Sequence, residues 1–229
     1  NRVIQLGENP SRVFNVGSMG IENIKRLKLL NKKEFEKSIN FKLNKKNILV
    51  TFHPVTLENN TAEEQFQELL YAIDELEDTN IIFTKANSDA GGRIINQMIT
   101  KYVNKNIHKS CSFNSLGQLR YLSALKYMDA IVGNSSSGIA EAPSFKIGTI
   151  NMGDRQKGRI KADSVIDCLP NKASITKAFE KLYSKKFKST LKNVKNFSDN
   201  GCASKKIIKV LKSINLDNIL KKIFFDLRF

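Results

Sequence analysis

Residues Asp129–Phe145 read DAIVGNSSSGIAEAPSF. The apolar run DAIV predicts a short strand, GNSSSG a turn, and Ile139–Phe145 a short helix. This is one strand–loop–helix unit, and the same alternation extends to both sides. Upstream, Ser115–Tyr127 sets Leu116, Leu119, Leu122 and Leu125 at helical spacing, after a weak strand at Lys109–Phe113. Further upstream, Ile48–Phe52 is a buried strand stopped by Pro54. Residues Thr61–Leu76 carry Phe66, Leu69, Leu70, Ile73 and Leu76 on one helical stripe behind a capping-box-like start, TAEE. Asn80–Thr84 is a strand, and a helix begins at Asp89. Downstream, Gly148–Asn151 and Ser164–Asp167 read as strands, and Ile175–Tyr183 and Ala203–Ser213 as helices.

From Ile48 onward, strands alternate with helices. Parallel strands need such crossovers, so the expected fold is α/β: a Rossmann-like parallel sheet of about six strands with helices on both faces. Residues 1–25 stand outside that cycle. They read as the end of a preceding α/β domain and a hinge, with a strand at Arg12–Gly17. The chain opens without Met and in strand-like sequence, which suggests a fragment of a longer protein.

Composition excludes several classes. The chain has 229 residues, of which 41% are hydrophobic and 26% charged, values of an ordinary globular protein rather than a disordered or collagen-like one. No apolar run is long enough to span a bilayer, and NRVIQLGENP does not resemble a signal peptide. Cys111, Cys168 and Cys202 are odd in number and widely spaced, which argues against a disulfide framework or a zinc site and for a reducing, cytoplasmic setting. The net charge of +16 comes from 30 lysines and eight arginines set against 22 acids. The lysines scatter along helices, as in KAFEKLYSKKFKSTLKNVK, and read mainly as solvated faces. No nucleic-acid module stands out. A positive field of this size still suits a small phosphorylated ligand.

In an open parallel sheet, ligands gather at the carboxyl ends of the strands. Three polar features fall there: His53 with Pro54, the stretch Asn87, Asp89, Gly91 and Gly92, and the GNSSSG loop. The loop reads equally as a serine cap with a turn or as a phosphate cradle formed by hydroxyls and helix N–H groups. Glu141 either complements the helix dipole or accepts bonds from vicinal ribose hydroxyls. His53 either serves the structure or contacts phosphate and moves a proton. Arg155 and Arg159, after the fifth strand, fork onto phosphate or pair with surface acids. His108 reads as surface. No nucleophile–base pair is evident, and GNSSSG lacks the G-x-S-x-G elbow.

Taken together, RVIQLGENPSRVFNVGSMGIENI, ILVTFHPVTLE, KANSDAGG, YLSALKYMDAIVGNSSSGIAEAPSF, NMGDRQKGR and NFSDNGCASKKIIKVL resemble the second half of hydrolysing UDP-N-acetylglucosamine 2-epimerases of the sialic-acid and legionaminic-acid pathway type. The resemblance is colinear over essentially the whole chain. It implies the second domain of a glycosyltransferase-B-type two-domain fold. Residues 26–213 would form the nucleotide-binding Rossmann-like domain, and 214–229 a C-terminal helix returning towards the first domain. It implies anti elimination of UDP to a 2-acetamidoglucal, then hydration to N-acetylmannosamine or a related sugar, with no metal or redox cofactor. It also implies a homo-oligomer in the full-length protein, no membrane partner and no nucleic acid.

Residue by residue, the resemblance assigns His53 to the diphosphate and the departure of UDP. It assigns Ser135 and Ser136 to the diphosphate, Glu141 to the ribose, Asn87 and Arg155 to further nucleotide contacts, and Tyr121 to the uracil. The family's catalytic carboxylates belong to a first domain that would precede Asn1, so the chain alone is expected to lack epimerase activity. Three other readings remain: a UDP- or GDP-linked 2,4-diacetamido sugar as substrate, a glycosyltransferase of the same architecture, and a polyanion-binding module driven by the net charge.

Overall fold

The computed structural model describes residues 1–55, 61–87, 91–217 and 219–227. The chain divides into two compact units, residues 26–197 and residues 1–25 with 198–229.

The larger unit is built on a six-stranded sheet of order β3-β2-β1-β4-β5-β6. Its strands are β1 (Lys46–Thr51), β2 (Thr79–Thr84), β3 (Ser110–Phe113), β4 (Ala130–Gly133), β5 (Gly148–Met152) and β6 (Val165–Cys168). All five neighbouring pairs are parallel. This is the expected α/β, Rossmann-like arrangement. The chain first winds outward from β1 to β3, then returns to lay β4 against the other side of β1. Thr51, the last residue of β1, pairs with Gly133, the last of β4. The loops leaving both strands therefore emerge side by side at the point where the winding reverses, where open α/β sheets place their ligands.

Side chains alternate across the sheet. Ile48, Val50, Ile81 and Phe83 point into one cluster with Phe66, Ile73, Ile95, Ile99, Ile175 and Phe179. The last six come from α4 (Ala62–Asp74), α5 (Gly92–Lys105) and α8 (Lys172–Tyr183). Leu49, Ile82 and Ile131 alternate with that set and are equally buried. Phe35 of α3 (Lys32–Ile39) and Leu122 and Leu125 of α6 (Gly117–Leu125) are buried outside the first cluster, and the Phe35 ring stacks on Tyr127. α7 (Ser137–Ala140) and a 3-10 turn (Ala142–Phe145) follow β4, and α9 (Lys185–Lys192) follows α8. α3 begins at the end of the lysine-rich stretch Lys25–Lys33. It carries a full capping box, in which Glu34 N–H donates to Asn31 and Asn31 N–H donates back to the Glu34 carboxylate.

The smaller unit contains α1 (Arg2–Gln5), a 3-10 turn (Pro10–Arg12), α2 (Met19–Arg26) and α10 (Ala203–Ser213). The N-terminus of α10 is capped from far away in sequence: Ser204 donates to Glu22 through both its N–H and its hydroxyl, each at 2.7 Å. Three expectations change here. The opening residues are a short helix rather than a strand, and Arg12–Gly17 is not a strand either, since a strand needs a partner ladder and the segment finds none among the described residues. α10 groups with residues 1–25, so the larger unit ends at Phe197, not at 213. No helix follows Ser213 among the described residues: Leu220 is 96% and Ile223 85% exposed, and the chain instead bonds to the N-terminal turn, where Phe225 N–H donates to Gly7 O at 2.9 Å.

All three cysteines are free, and burial pushes the Cys111 and Cys168 thiols up to about 12. Among the described residues, no helix is long and apolar enough to cross a membrane and no group of acids, histidines and cysteines is placed to hold a metal ion.

Candidate functional site

The site candidates sit on loops that β1, β2 and β4 release at one edge of the sheet. The central piece is Gly133–Asn134. Gly133 takes a φ of +127°, and a Cβ built on it would lie 2.1 Å from the Thr51 carbonyl oxygen. Only glycine lets the end of β4 run this close to β1. Gly138 serves the next step, since its Cβ would meet Thr149 Cγ2 at 2.5 Å, so the short helix can sit down onto β5.

Asn134 follows, 1% exposed, with every polar group engaged. Its N–H donates to Thr51 O at 3.2 Å. Its side chain grips the His53 peptide by both ends: His53 N–H donates to Oδ1 at 2.8 Å, and Nδ2 donates to His53 O at 2.7 Å. Its own carbonyl accepts from Arg155 Nη1 at 3.1 Å and from buried Gln156 Nε2 at 2.8 Å. The same device recurs one strand over. There Asn96 of α5 accepts from Ala86 N–H at 2.8 Å and donates to Ala86 O at 3.2 Å, fixing the peptide that leads into Asn87.

These clamps bring His53 and Asn87 together, and the Asn87 N–H donates to His53 Nδ1 at 3.4 Å. His53 is nearly buried and Asn87 exposed. On the β4 loop, Ser135 is half-buried and Ser136 exposed, and Ser135 Oγ accepts from Ser137 N–H at 3.3 Å. The Tyr121 hydroxyl donates to Ser137 Oγ at 2.6 Å, which ties α6 to the serine loop. Burial, with a smaller push from the Glu141 charge, raises the Tyr121 phenol to about 12, partly offset by its bond to Ser137. Glu141 lies at the end of α7, and its Oε2 is buried with no hydrogen-bond partner among the described residues. A buried carboxylate oxygen without a donor is costly in a folded protein and calls for an explanation.

Of the residues singled out in the sequence, His53, Asn87, Tyr121, Ser135, Ser136, Glu141 and Arg155 thus fall on this one edge. Arg155 turns its guanidinium to the Asn134 carbonyl. Arg159 and His108 are exposed, and Asp89 lies outside the described residues. Sequence reading missed Asn134, Gln156 and Asn96. Asn134 is the one with a visible signal, a polar residue directly after the glycine that ends a buried strand.

A six-stranded parallel sheet whose polar loops gather at its winding reversal defines the class: a Rossmann-like α/β protein with its candidate site at the carboxyl edge. The family identity is narrower. The description of the UDP-N-acetylglucosamine 2-epimerase family matches residues 1–212, and the chain belongs to that family. It is 48% identical over 227 residues to the GDP/UDP-N,N'-diacetylbacillosamine 2-epimerase (hydrolyzing) of Campylobacter jejuni, covering 99% of this chain and 59% of that protein. It is 41% identical over 234 residues to polysialic acid biosynthesis protein P7 of Escherichia coli, covering 99% of this chain and 58% of that one. The chain therefore spans less than two thirds of the length of these relatives. Among solved structures, the S. aureus MnaA–UDP complex shares the fold, with a TM-score of 0.70 and 18% identity over 99% of this chain and 59% of that one.

Proposed function

We propose that this chain is the nucleotide-sugar-binding half of a hydrolysing 2-epimerase. In that reaction the nucleoside diphosphate leaves by anti elimination across C1 and C2 of a 2-acetamido sugar. The resulting 2-acetamidoglucal takes up water and becomes the free, C2-inverted sugar, N-acetylmannosamine or its analogue. Ser135 and Ser136 receive the diphosphate, with hydroxyl donors beside the N–H groups of the loop. His53 lies against the same diphosphate and supplies a donor as charge develops on the leaving oxygen. Asn87 and Arg155 contribute further nucleotide contacts, and Tyr121 flanks the uracil.

The observation that carries the reading is the buried Oε2 of Glu141 behind the serine loop, which has no hydrogen-bond partner among the described residues. A carboxylate acceptor one short helix from a diphosphate seat matches what vicinal ribose hydroxyls require. The sugar is first read as N-acetylglucosamine on UDP, in line with the family description. A second reading, a UDP- or GDP-linked 2,4-diacetamido sugar, is favoured by the diacetylbacillosamine substrate named for the Campylobacter jejuni relative that is 48% identical.

Two measurements test this. UDP or GDP should raise the melting temperature of the 229-residue chain, and Glu141→Gln should weaken that protection about tenfold in ligand concentration. If neither nucleotide protects while DNA binds with a steep salt dependence, the reading fails in favour of a polyanion-binding module. For the chemistry, this chain can replace the matched portion of the Campylobacter jejuni relative. Free sugar plus nucleoside diphosphate from that chimera supports the epimerase, and the substrate that turns over decides between the two sugars. Nucleotide release that needs an acceptor, with the sugar found bonded to that acceptor, points to a glycosyltransferase instead. The chain alone should release no sugar.

A further inference from the structure

We propose that Asn134 is a positioning residue that fixes the His53 imidazole with its ring proton on Nε2. This rests on the reading of His53 as a donor to the diphosphate. Asn134 holds the peptide of His53 at both ends, at 2.8 and 2.7 Å, so the Cα–Cβ direction of His53 is set by a side chain 81 residues away. Asn134 is itself immobilised, because its N–H is bonded to Thr51 O and its carbonyl accepts two donors, from Arg155 and Gln156. The imidazole then meets the Asn87 N–H through Nδ1. An amide N–H is only a donor, so Nδ1 is the acceptor, and the neutral ring carries its proton on Nε2. In that ring Nε2 is the donor nitrogen.

The asparagine also joins the two halves of the proposed diphosphate seat. It precedes Ser135 directly in sequence and grips His53 through space. A shift of the serine loop therefore moves the imidazole with it. An aspartate of the same shape keeps the acceptor for the His53 N–H but sets an oxygen against the His53 carbonyl. One of the two bonds turns repulsive while the volume stays the same.

The chain has two histidines, so ring-nitrogen NMR of uniformly ¹⁵N-labelled protein needs no crowded assignment, and exposed His108 serves as the internal reference. In the unsubstituted chain, His53 should show a single Nε2–H tautomer at pH values where the ring is neutral. An Nδ1–H tautomer overturns the proposal. In Asn134→Ala and Asn134→Asp, the His53 signals should change to a tautomer mixture while His108 stays fixed. Unchanged His53 signals in a folded variant overturn it, and Asn134→Asp decides the matter if Asn134→Ala does not fold. In the chimera, Asn134→Ala should lower turnover about tenfold or more with KM within about twofold. Adding it to His53→Ala should cost almost nothing further; full additivity would mean that Asn134 acts elsewhere. If His53→Ala alone leaves turnover intact, the functional reading falls, and the tautomer measurement still decides the positioning.

Discussion

The two edges of the same sheet share an asparagine clamp but surround it differently. At the carboxyl edge, β1 and β4 end side by side, and the chain between Gly133 and Gly138 is held by short side chains and main-chain bonds. Asn134 uses all of its polar groups there, and Asn96 repeats its clamp one strand over. At the amino edge, Asp129 precedes β4 and Ile147 precedes β5. They border a cavity of about 410 Å³ lined also by Leu182, Tyr183 and Leu191, with Lys146, Lys188 and Lys192 around it. The Lys46 and Lys188 ammonium groups lie 5.0 and 5.6 Å from the centre of the Tyr183 ring. The amino edge has a clamp of its own, since Asn47 Oδ1 accepts from Asn44 N–H and Asn47 Nδ2 donates to Asn44 O, each at 2.9 Å, but here lysine stems also lie over apolar surface and keep their charge in water. Part of the net charge of +16 is therefore a covering for helices and cavity walls, and so it is a poor guide to ligand class.

That contrast can be broken most severely at Gly133. Alanine there would bring its Cβ to 2.1 Å from the Thr51 carbonyl in a backbone conformation with φ of +127°. The expected loss is about 4 kcal/mol, read as a lowered denaturation midpoint. A Gly133→Ala protein as stable as the parent would show that the carboxyl edge is not the rigid one. His53→Ala comes next. In the chimera it should lower turnover by about 100-fold, roughly 2.7 kcal/mol of transition-state stabilisation, with little change in melting temperature. Unchanged turnover removes His53 from the mechanism.

The sequence makes the two edges unequally legible. Strands β1, β2, β4 and β5 are short apolar runs bounded by turn residues, so their existence and order follow from the pattern, and so does the placing of His53 and GNSSSG at strand ends. The clamp on His53 does not follow, because its two partners lie 81 residues apart and nothing local marks them as partners. The capping box of α3 is legible, since Asn31 and Glu34 have the required spacing. The smaller unit resisted for another reason. Its short apolar stretches, such as Arg12–Gly17 and the segment after Ser213, have the composition of regular structure without a packed face to stabilise it.

A milder probe of the carboxyl edge is Tyr121→Phe, which removes the hydroxyl that donates to Ser137 Oγ at 2.6 Å. The loss should be about 1 kcal/mol at neutral pH. The phenol is raised to about 12 in the folded chain, above its ordinary value near 10. Its share of stability is therefore complete below about pH 10 and fades as the pH rises through 12. The parent should lose stability over that alkaline range more steeply than the Phe variant. Equal slopes would mean that Tyr121 is not enclosed by the serine loop.

The smallest effect belongs to the amino edge, and its sign is the informative part. Burial raises the Asp129 carboxyl above its ordinary value, against weaker opposing contributions from the Asn47 N–H, Lys188 and Lys46. The bond from Asn47 N–H to Oδ2 at 2.7 Å is the largest of these, but it does not cancel the desolvation. A raised acid favours the folded state at low pH and disfavours it once the pH passes the folded value. Asp129→Asn keeps an acceptor for the Asn47 N–H and removes the charge. It should therefore raise the melting temperature slightly at neutral pH, and the gain should shrink to nothing as the pH falls below the ordinary carboxylate range. A loss of stability at neutral pH would show that the lysines around this cavity form a working ion-pair cluster with Asp129, so that charge as well as burial shapes the amino edge.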